Sequence, residues 1–597
     1  MFRFIALAWD SSQTAASSAA AHLGQAWQER ADWTPALVRP GLQVFTFGEK
    51  SGVNQASPLQ GDQGIVLGKM FHRRDRDSVP ERNVTITCKE AAGILSSCGR
   101  DLVNNFWGRY VAFLPTLSGT TCVLRDPSGT LPCYLIRHEG VSIVFSWLED
   151  VLQMLGQHAP RQVNWDALTA QLLRGALIGH ETGLQGVIQV LPGELFDLHS
   201  ETKALLWNAT DFARSTARHD ANEAAQLLRQ SVQACTEAWA SCYDTLLLRL
   251  SGGVDSSILL SCLAPGRTKA DVISVNYHSE GSDSDERHYA RLAAARVGRD
   301  LLERERDVGF RIDRILQIAR MPDPVPYVGW MNAGTDARLA AAHGAPAMFT
   351  GAGGDSLFFE FPRWWPAADY LCKEGLNAGF AAAAMDAARL GKLSIWRTIA
   401  LALKQRTGPS LQERNLMGHD ALLALDISVG NDETNRFVHP AARDAGDLPI
   451  GKYMQTMALI YPLGYYDPFE RASAPELVNP LLSQPLVELC LQLPTYLLTQ
   501  GGRGRSLARR AFAADLPSRV INRRSKGGME EHVKAVLLSN IDFAREVLLD
   551  GQLAARGLLD RKRLAELLSG RPTALAGPIS QIHSLVAVEA WLSRWGR

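Results

Sequence analysis

The sequence lacks any excess of charge: 62 Lys and Arg residues balance 62 Asp and Glu. No global field therefore draws the chain toward nucleic acid or an anionic membrane. It also has little cysteine. The nine residues, at 88, 98, 122, 133, 235, 242, 262, 372 and 490, form no CxxC pair and no regular spacing. That pattern argues for reduced thiols in a cytoplasmic protein, and against a disulfide framework or a structural zinc site. Long apolar runs are missing too. No stretch approaches the about 20 residues that a bilayer span needs, and LLALDISV and MQTMALIYPLGYY read as short core segments. The opening MFRFIALAWD carries Arg3 and Asp10 without a basic leading region, the wrong pattern for a signal peptide. What remains is an ordinary globular composition, 46% hydrophobic and 21% charged, over 597 residues. That length suits roughly three or four conventional domains, or two large ones.

Residues 1–210 are rich in short β-type runs: FRFIALAW, PALVRPGLQVFTF, GIVLGKMF, GRYVAFLP, TTCVLRD, LPCYLIRH, VSIVFSW and GELFDLH, separated by Gly, Pro and Asp turns. Helical patterns interrupt them near 144–154 and 164–174, which predicts a sheet-based domain of two packed sheets. The character then changes. An amphipathic helix over 220–240 precedes the strand YDTLLLRL and the loop SGGVDSS, with a helix starting at about 254. DVISVNY and APAMFT are further apolar strands, the second ending in GAGGDSLFF, with helices expected over 284–297 and 309–320. Strands alternating with helices predict a mostly parallel sheet. Helical patterns dominate from 380 onward, including 478–492, 505–514, 530–548 and 572–593.

A buried parallel strand that ends in glycines and feeds a helix makes an anion site. Gly252 and Gly253 let backbone approach a phosphate, and the helix start offers unpaired N–H groups. Ser251, Ser256 and Ser257 add hydroxyls. The loop is neither GxxxxGK[ST] nor GxGxxG, the usual nucleotide fingerprints. Asp255 would repel a phosphate unless a cation stood between them. GAGGDS, residues 351–356, repeats the arrangement with Asp355. Either loop alone is also what a tight turn with a solvated Asp would give. Acids at two strand ends point instead to shared Mg²⁺ at the carboxyl edge of an α/β sheet.

These motifs resemble the asparagine synthetase superfamily. SGGVDSS matches the pyrophosphate loop of its ATP-pyrophosphatase domain, and GAGGDSLFF takes the place of its second acidic loop. SDSDERHYARLAA, NPLLSQPLVELCLQLP and GRGRSLARRAFAADLPSRVINRRSKGG resemble further segments of that domain. The resemblance implies an adenine-nucleotide α-hydrolase-like parallel-sheet domain with added helices over 213–597. It also implies activation of a carboxylate by ATP as an acyl-adenylate, with release of pyrophosphate. In such a site Asp255 and Asp355 would hold magnesium. Ser251, Gly252, Gly253, Asp255, Ser256 and Ser257 would form the pyrophosphate loop, and backbone near Leu250, Val275 and Gly351 would line the adenosine. Lys526 resembles the family's catalytic lysine, whose ammonium suits phosphoryl and acyl oxyanions. A solvated lysine in the basic run Arg523–Lys526 is the plainer alternative, and Arg523 and Arg524 are weaker candidates.

The front half resembles the family's N-terminal-nucleophile glutaminase domain in DQGIVLGKMF, NNFWGRYVAFL and VLRDPSGTLPCY. That implies a β-rich αββα unit over 1–212. The nucleophile of such a domain is a Cys directly after the initiator Met, with the α-amine as base. Here that position is Phe2, and the nearest cysteine is Cys88. The expectation is a domain without glutaminase activity. Ala352 stands where β-lactam synthetases carry Tyr and asparagine synthetases carry Glu, and Gly354-Asp355-Ser356 departs from the latter as well. The chain is most similar to the lasso peptide macrolactam synthetases. That resemblance implies adenylation of an Asp or Glu side chain of a core peptide and ring closure by its N-terminal amine. It implies as partners the precursor peptide, a leader peptidase and a leader-recognition protein. An ammonia-dependent asparagine synthetase, a β-lactam synthetase-like ligase and a non-catalytic precursor-binding scaffold are the alternatives.

Other residues carry weaker signals. Asp323 lies between two prolines in RMPDPVPYVG, as a loop over the ligand or a plain turn. Glu286 and Arg287 begin a helix, where capping is an ordinary role for an acid. His278 and His288 have neither zinc-pair nor triad spacing. Trp330, Trp364, Trp365, Tyr465, Tyr466 and Phe469 could line a peptide cleft or simply pack.

Overall fold

The computed structural model describes residues 1–597 except 74–81, 117–118, 175–178, 216–218, 280–284, 319–320, 326–330, 406–421, 425–435, 461–472, 525–526, 570–578 and 597. Among the described residues, the N-terminal strands form two six-stranded antiparallel sheets. Period-two alternation along each strand decides which face meets which layer. Phe4, Ala6, Val44 and Val144 of one sheet meet Ile65, Leu67, Val111 and Phe113 of the other in a dry interlayer, where Phe2 is also buried. The intervening residues Ile5, Leu7, Phe45 and Ile143 point outward onto the helix Thr14–Gln28. On the opposite side, Val66, Ala112 and Leu124 pack on the helices Cys88–Ser96 and Arg100–Asn105. Helices thus cover both outer faces of a sheet sandwich. The run PALVRPGLQVFTF is two strands, Trp33–Arg39 and Leu42–Phe47, because Gly41 turns the chain in the left-handed region at φ +80°.

The second half is built on a five-stranded parallel sheet in the order Leu301–Glu305, Asp271–His278, Thr245–Arg249, Ala347–Phe349, Glu476–Val478. The sequence points to the three central strands and misses both edges. Leu301–Glu305 reads LLERE, too charged to look buried, and Glu476–Val478 is only three residues long. The helix Ala221–Ala240 begins where Asp220 accepts N–H groups from Asn222 and Glu223, and it buries Leu228, Val232 and Trp239. The helix expected over 309–320 is, where described, only a short turn at Ile312–Arg314 and one helical turn at Ile315–Ile318. The pattern over 530–548 divides into Glu530–Ser539 and Ile541–Leu549 at Asn540. Among the described residues, no helix is long and apolar enough to cross a membrane. Among the described residues, no two cysteines are joined in a disulfide.

The two halves share their cores. One cluster joins Trp107 and Leu124 to Trp239 and Leu248, and another joins Ile143 and Trp27 to Leu585 and Trp591 of the helix Ile579–Trp595. A buried polar link reinforces the first contact. Arg109 donates to Glu476 at 3.0 Å and to Asn54 at 3.1 Å, and Asn54 donates to Glu476 at 2.8 Å. The segment holding Asp323 belongs to the second contact. Trp591 Nε1 donates to the Met321 carbonyl at 2.8 Å, and the Asp323 carboxylate accepts the Gly183 N–H at 2.8 Å. Asp323 therefore ties the halves together.

Burial pushes the Asp323 carboxyl up from its ordinary 3.8 to about 6. The folded chain holds that proton more tightly than the unfolded chain, so this group favours folding below about pH 4 and loses that contribution as pH rises through about 6. Asp323→Asn keeps an acceptor for Gly183 without the charge. The expected outcome is a gain of about 1–2 kcal/mol near pH 8, trimmed by partial exposure of the carboxyl, and none near pH 4. Urea unfolding at the two pH values measures the difference.

Candidate active site

The central strand Thr245–Arg249 delivers Leu250 to the carboxyl edge of the sheet, where its N–H donates to the Val275 carbonyl at 2.8 Å. Asn276 Nδ2 takes the Leu250 carbonyl at 2.7 Å, which fixes the chain just before the glycines. Gly252 then adopts φ +80°, and a Cβ there would lie 2.9 Å from both the Glu286 carbonyl and the Ala290 nitrogen. Only glycine fits this turn. The helix Val254–Cys262 starts immediately after, with Gly253 at its cap and no side chain capping it. Its first N–H groups face the loop as a ready anion site. Ser251 Oγ accepts from Gly253 N at 3.3 Å and lies 3.1 Å from Ser256 Oγ, and Ser257 Oγ donates to the Gly253 carbonyl at 2.7 Å. All six loop residues named from the sequence thus form one compact turn.

The second loop presses directly on the first. A Cβ on Gly351 would approach Ser256 N to 3.0 Å, and one on Gly354 would come within 2.6 Å of Asp255 Cγ. Two glycines therefore let the short helix Gly354–Leu357 bring Asp355 beside Asp255. Between these acids lies a residue that the sequence reading passed over. Arg505 grips Asp255 with two nitrogens, at 2.8 and 3.0 Å, and contacts Asp355 and, at 2.6 Å, Glu360. Its side chain is 5% exposed, and its backbone is left-handed at φ 55°.

The guanidinium stands where a cation between the two aspartates is expected, so the arrangement tests whether these side chains fit one. Among the described residues, no group of three or more His, Cys, Asp or Glu side chains is arranged to hold a metal. Two converging carboxylates suit Mg²⁺, which takes one or two protein carboxylates and completes its shell with water and phosphate oxygens. The residues present fit that ion.

Lys526 lies outside the described residues, but the chain on either side of it is anchored. Glu286 accepts the Gly527 N–H at 2.8 Å and pairs with Arg523 at 2.5 Å. Glu286 does not cap its own helix, Arg287–Val297. It ties the 523–527 segment to the turn that Gly252 makes. Arg524 is exposed, and Arg287 pairs with Asp285 at 2.6 Å. A second brace went unread in the sequence. Gln455 donates to the Leu357 carbonyl at 3.0 Å, behind Asp355, and accepts from the buried Lys452 ammonium at 2.8 Å. Burial lowers the pKa of Lys452, and nearby Asp369 partly opposes that shift.

The remaining candidates separate cleanly. His288 meets Arg519 at 3.1 Å, while His278 is buried at the end of its strand. Trp364 and Trp365 are core residues, the latter against Phe361 at 5.8 Å. Trp330, Tyr465, Tyr466 and Phe469 lie outside the described residues.

The asparagine synthase family profile matches residues 223–593, more than half of the chain, and the chain belongs to that family. No curated protein matches it. Among solved structures, the glutamine-dependent NAD+ synthetase from Acinetobacter baumannii in complex with adenosine diphosphate is similar at 13% identity and a TM-score of 0.16, over 40% of this chain. The chain spans 59% of that structure's length, and a likeness this low carries no argument about fold or ligand.

Replacing Arg505 with Met leaves Asp255, Asp355 and Glu360 facing one another without the guanidinium. Without divalent cations, the variant is expected to lose about 3 kcal/mol of stability, and added Mg²⁺ should restore it more strongly than it stabilises the parent. Thermal melts with Mg²⁺ titrated into both proteins measure this, and identical Mg²⁺ responses would argue against a cation site between the aspartates.

Proposed function

We propose that the chain is an ATP-dependent amide-forming ligase, and that its substrate is the core peptide of a lasso peptide. The observation that carries the ligase reading is the convergence of Asp255 and Asp355 around one positive group, beside a glycine turn that opens a helix, in a member of the asparagine synthase family. In this reading a substrate carboxylate attacks the α-phosphorus of ATP and pyrophosphate leaves. An amine then attacks the acyl carbon, AMP leaves, and the amine gives up a proton.

The residues divide this work by position. The first N–H groups of the helix Val254–Cys262, together with Ser251, Ser256 and Ser257, hold the departing pyrophosphate. Asp255 and Asp355 would hold magnesium, whose charge would neutralise the phosphate oxygens. Backbone near Leu250, Val275 and Gly351 accommodates the adenosine. Lys526, carried between the anchors that Glu286 makes to Arg523 and Gly527, supplies positive charge to the oxyanions of the transition state.

The macrocyclase assignment rests on what the site omits. Phe2 stands where the resemblance to a glutaminase domain implies a nucleophilic Cys, and it is buried between the two sheets; on this reading the amine comes from elsewhere. We infer that residues 1–212 are a degenerate glutaminase-like unit and 213–597 the ligase unit. Ala352 offers no base for a poor nucleophile. An N-terminal peptide amine needs none, because its ordinary pKa of about 7.7–8.0 leaves a fraction neutral at pH 7. The proposed partners are the precursor peptide, a leader peptidase that frees its amine, and a leader-recognition protein, all in the cytoplasm.

The test is to incubate the purified protein with ATP, Mg²⁺, a linear lasso precursor peptide and its leader peptidase, and to read the product mass. Loss of one water from the core is expected, with AMP and pyrophosphate formed, and Asp255→Ala should lower the rate by at least about 100-fold. Formation of AMP only with aspartate and ammonia would instead assign a small-molecule synthetase.

A further inference from the structure

Past the aspartate pair, the carboxyl edge of the sheet carries polar groups whose bonding capacity is unused. Arg306 directly follows the edge strand Leu301–Glu305, and its backbone N–H donates to the His278 carbonyl at 2.8 Å. Its Nε and Nη1 are buried without a hydrogen-bond partner. Arg3 and Arg109 also leave Nε unpaired, but each holds a carboxylate through another nitrogen, Asp150 and Glu476 respectively. Arg306 makes no such pair among the described residues.

Its neighbours share the property. His532, in the first turn of the helix Glu530–Ser539, is 3% exposed, and neither ring nitrogen has a partner. Burial and the charge of Arg306 both hold that imidazole below its ordinary pKa of 6.5, so it stands neutral with one N–H to give. His278 Nδ1 is likewise buried and unpartnered. Arg523 gives one nitrogen to Glu286, stacks its guanidinium on Tyr289 at 4.1 Å, and leaves Nε and Nη1 buried and unpaired. Arg306 and Arg523 both feel the charge of Glu286, His532 feels that of Arg306, and His278 is hydrogen-bonded to the Arg306 backbone. Two strand ends, a loop and a helix start thus gather these donors near Glu286, whose backbone lies against the Gly252 turn.

A buried donor without an acceptor costs about 1–3 kcal/mol, and several together mark a place where a ligand supplies the acceptors. A guanidinium presents a planar fork that matches carboxylate and phosphate oxygens. We propose that Arg306, Arg523, His278 and His532 form an oxyanion-binding subsite beside the glycine turn. The oxyanion is either a phosphate of the nucleotide or a carboxylate of the second substrate. The inference rests on the ligase reading and does not require the acceptor to be a peptide.

Calorimetric titration of the full chain separates the two sources, with Mg²⁺-pyrophosphate as the phosphate probe and N-acetyl-aspartate as the carboxylate probe. Arg306→Gln is expected to weaken at least one probe by about tenfold or more, with the melting temperature unchanged and partial recovery in Arg306→Lys. His532→Phe, which keeps an aromatic ring but removes both ring nitrogens, should weaken the same probe. The affected probe identifies the source. Unchanged affinities, a parent protein that binds neither probe, or weakening that only follows a fall in melting temperature would each overturn the subsite. Because no turnover is measured, a failure to cyclise any peptide leaves this result standing, and loss of the subsite leaves the macrocyclase test intact.

Discussion

Like charges cannot crowd together in a partly buried cleft unless something of opposite sign separates them, and this constraint organises the carboxyl edge of the parallel sheet. Asp255, Asp355 and Glu360 converge from two loops, and Arg505 reaches all three. Removing one member of such a group leaves uncompensated charge rather than a simple gap. The glycines follow from the same demand, since side chains at Gly351 or Gly354 would hold the loops apart. The acids come together because the backbone can, and the Arg505 guanidinium lies among them.

The surrounding braces keep this arrangement in register. Glu286 joins the Gly252 turn to the segment around Arg523 and Gly527, while Gln455 supports the Asp355 helix from behind. Both are side chains bonding to backbone groups, so they fix loop positions without entering the cleft. Such outer contacts are what hold reacting groups in productive geometry.

Much of this was legible in the sequence. Apolar runs ending in SGGVDSS and GAGGDS announced two strand ends and two acids, because glycine spacing and strand hydrophobicity are local properties. Short β-type runs separated by Gly, Pro and Asp turns predicted the two packed sheets of the front half. What escaped was set by partners far along the chain. Arg505 meets Asp255 across 250 positions and Gln455 meets Leu357 across 98, and no local pattern encodes such pairings. The strand Leu301–Glu305 hid behind its charges because an edge strand has no need to be apolar. Asp323 read equally as a loop residue over a ligand or as a plain turn, and its partner Gly183 belongs to the other half of the protein.

The shared cores carry a consequence for the integrity of the chain. Trp107 packs near Trp239 at 6.2 Å, and the outer face of the front sandwich is completed by Trp591 from the far C-terminal helix. On the reading proposed above, the front half no longer performs chemistry. Deleting it would nevertheless strip the ligase half of its own interior and leave aromatic side chains in water. Whatever chemistry the front half performs, it also serves as part of the wall of the ligase half's core.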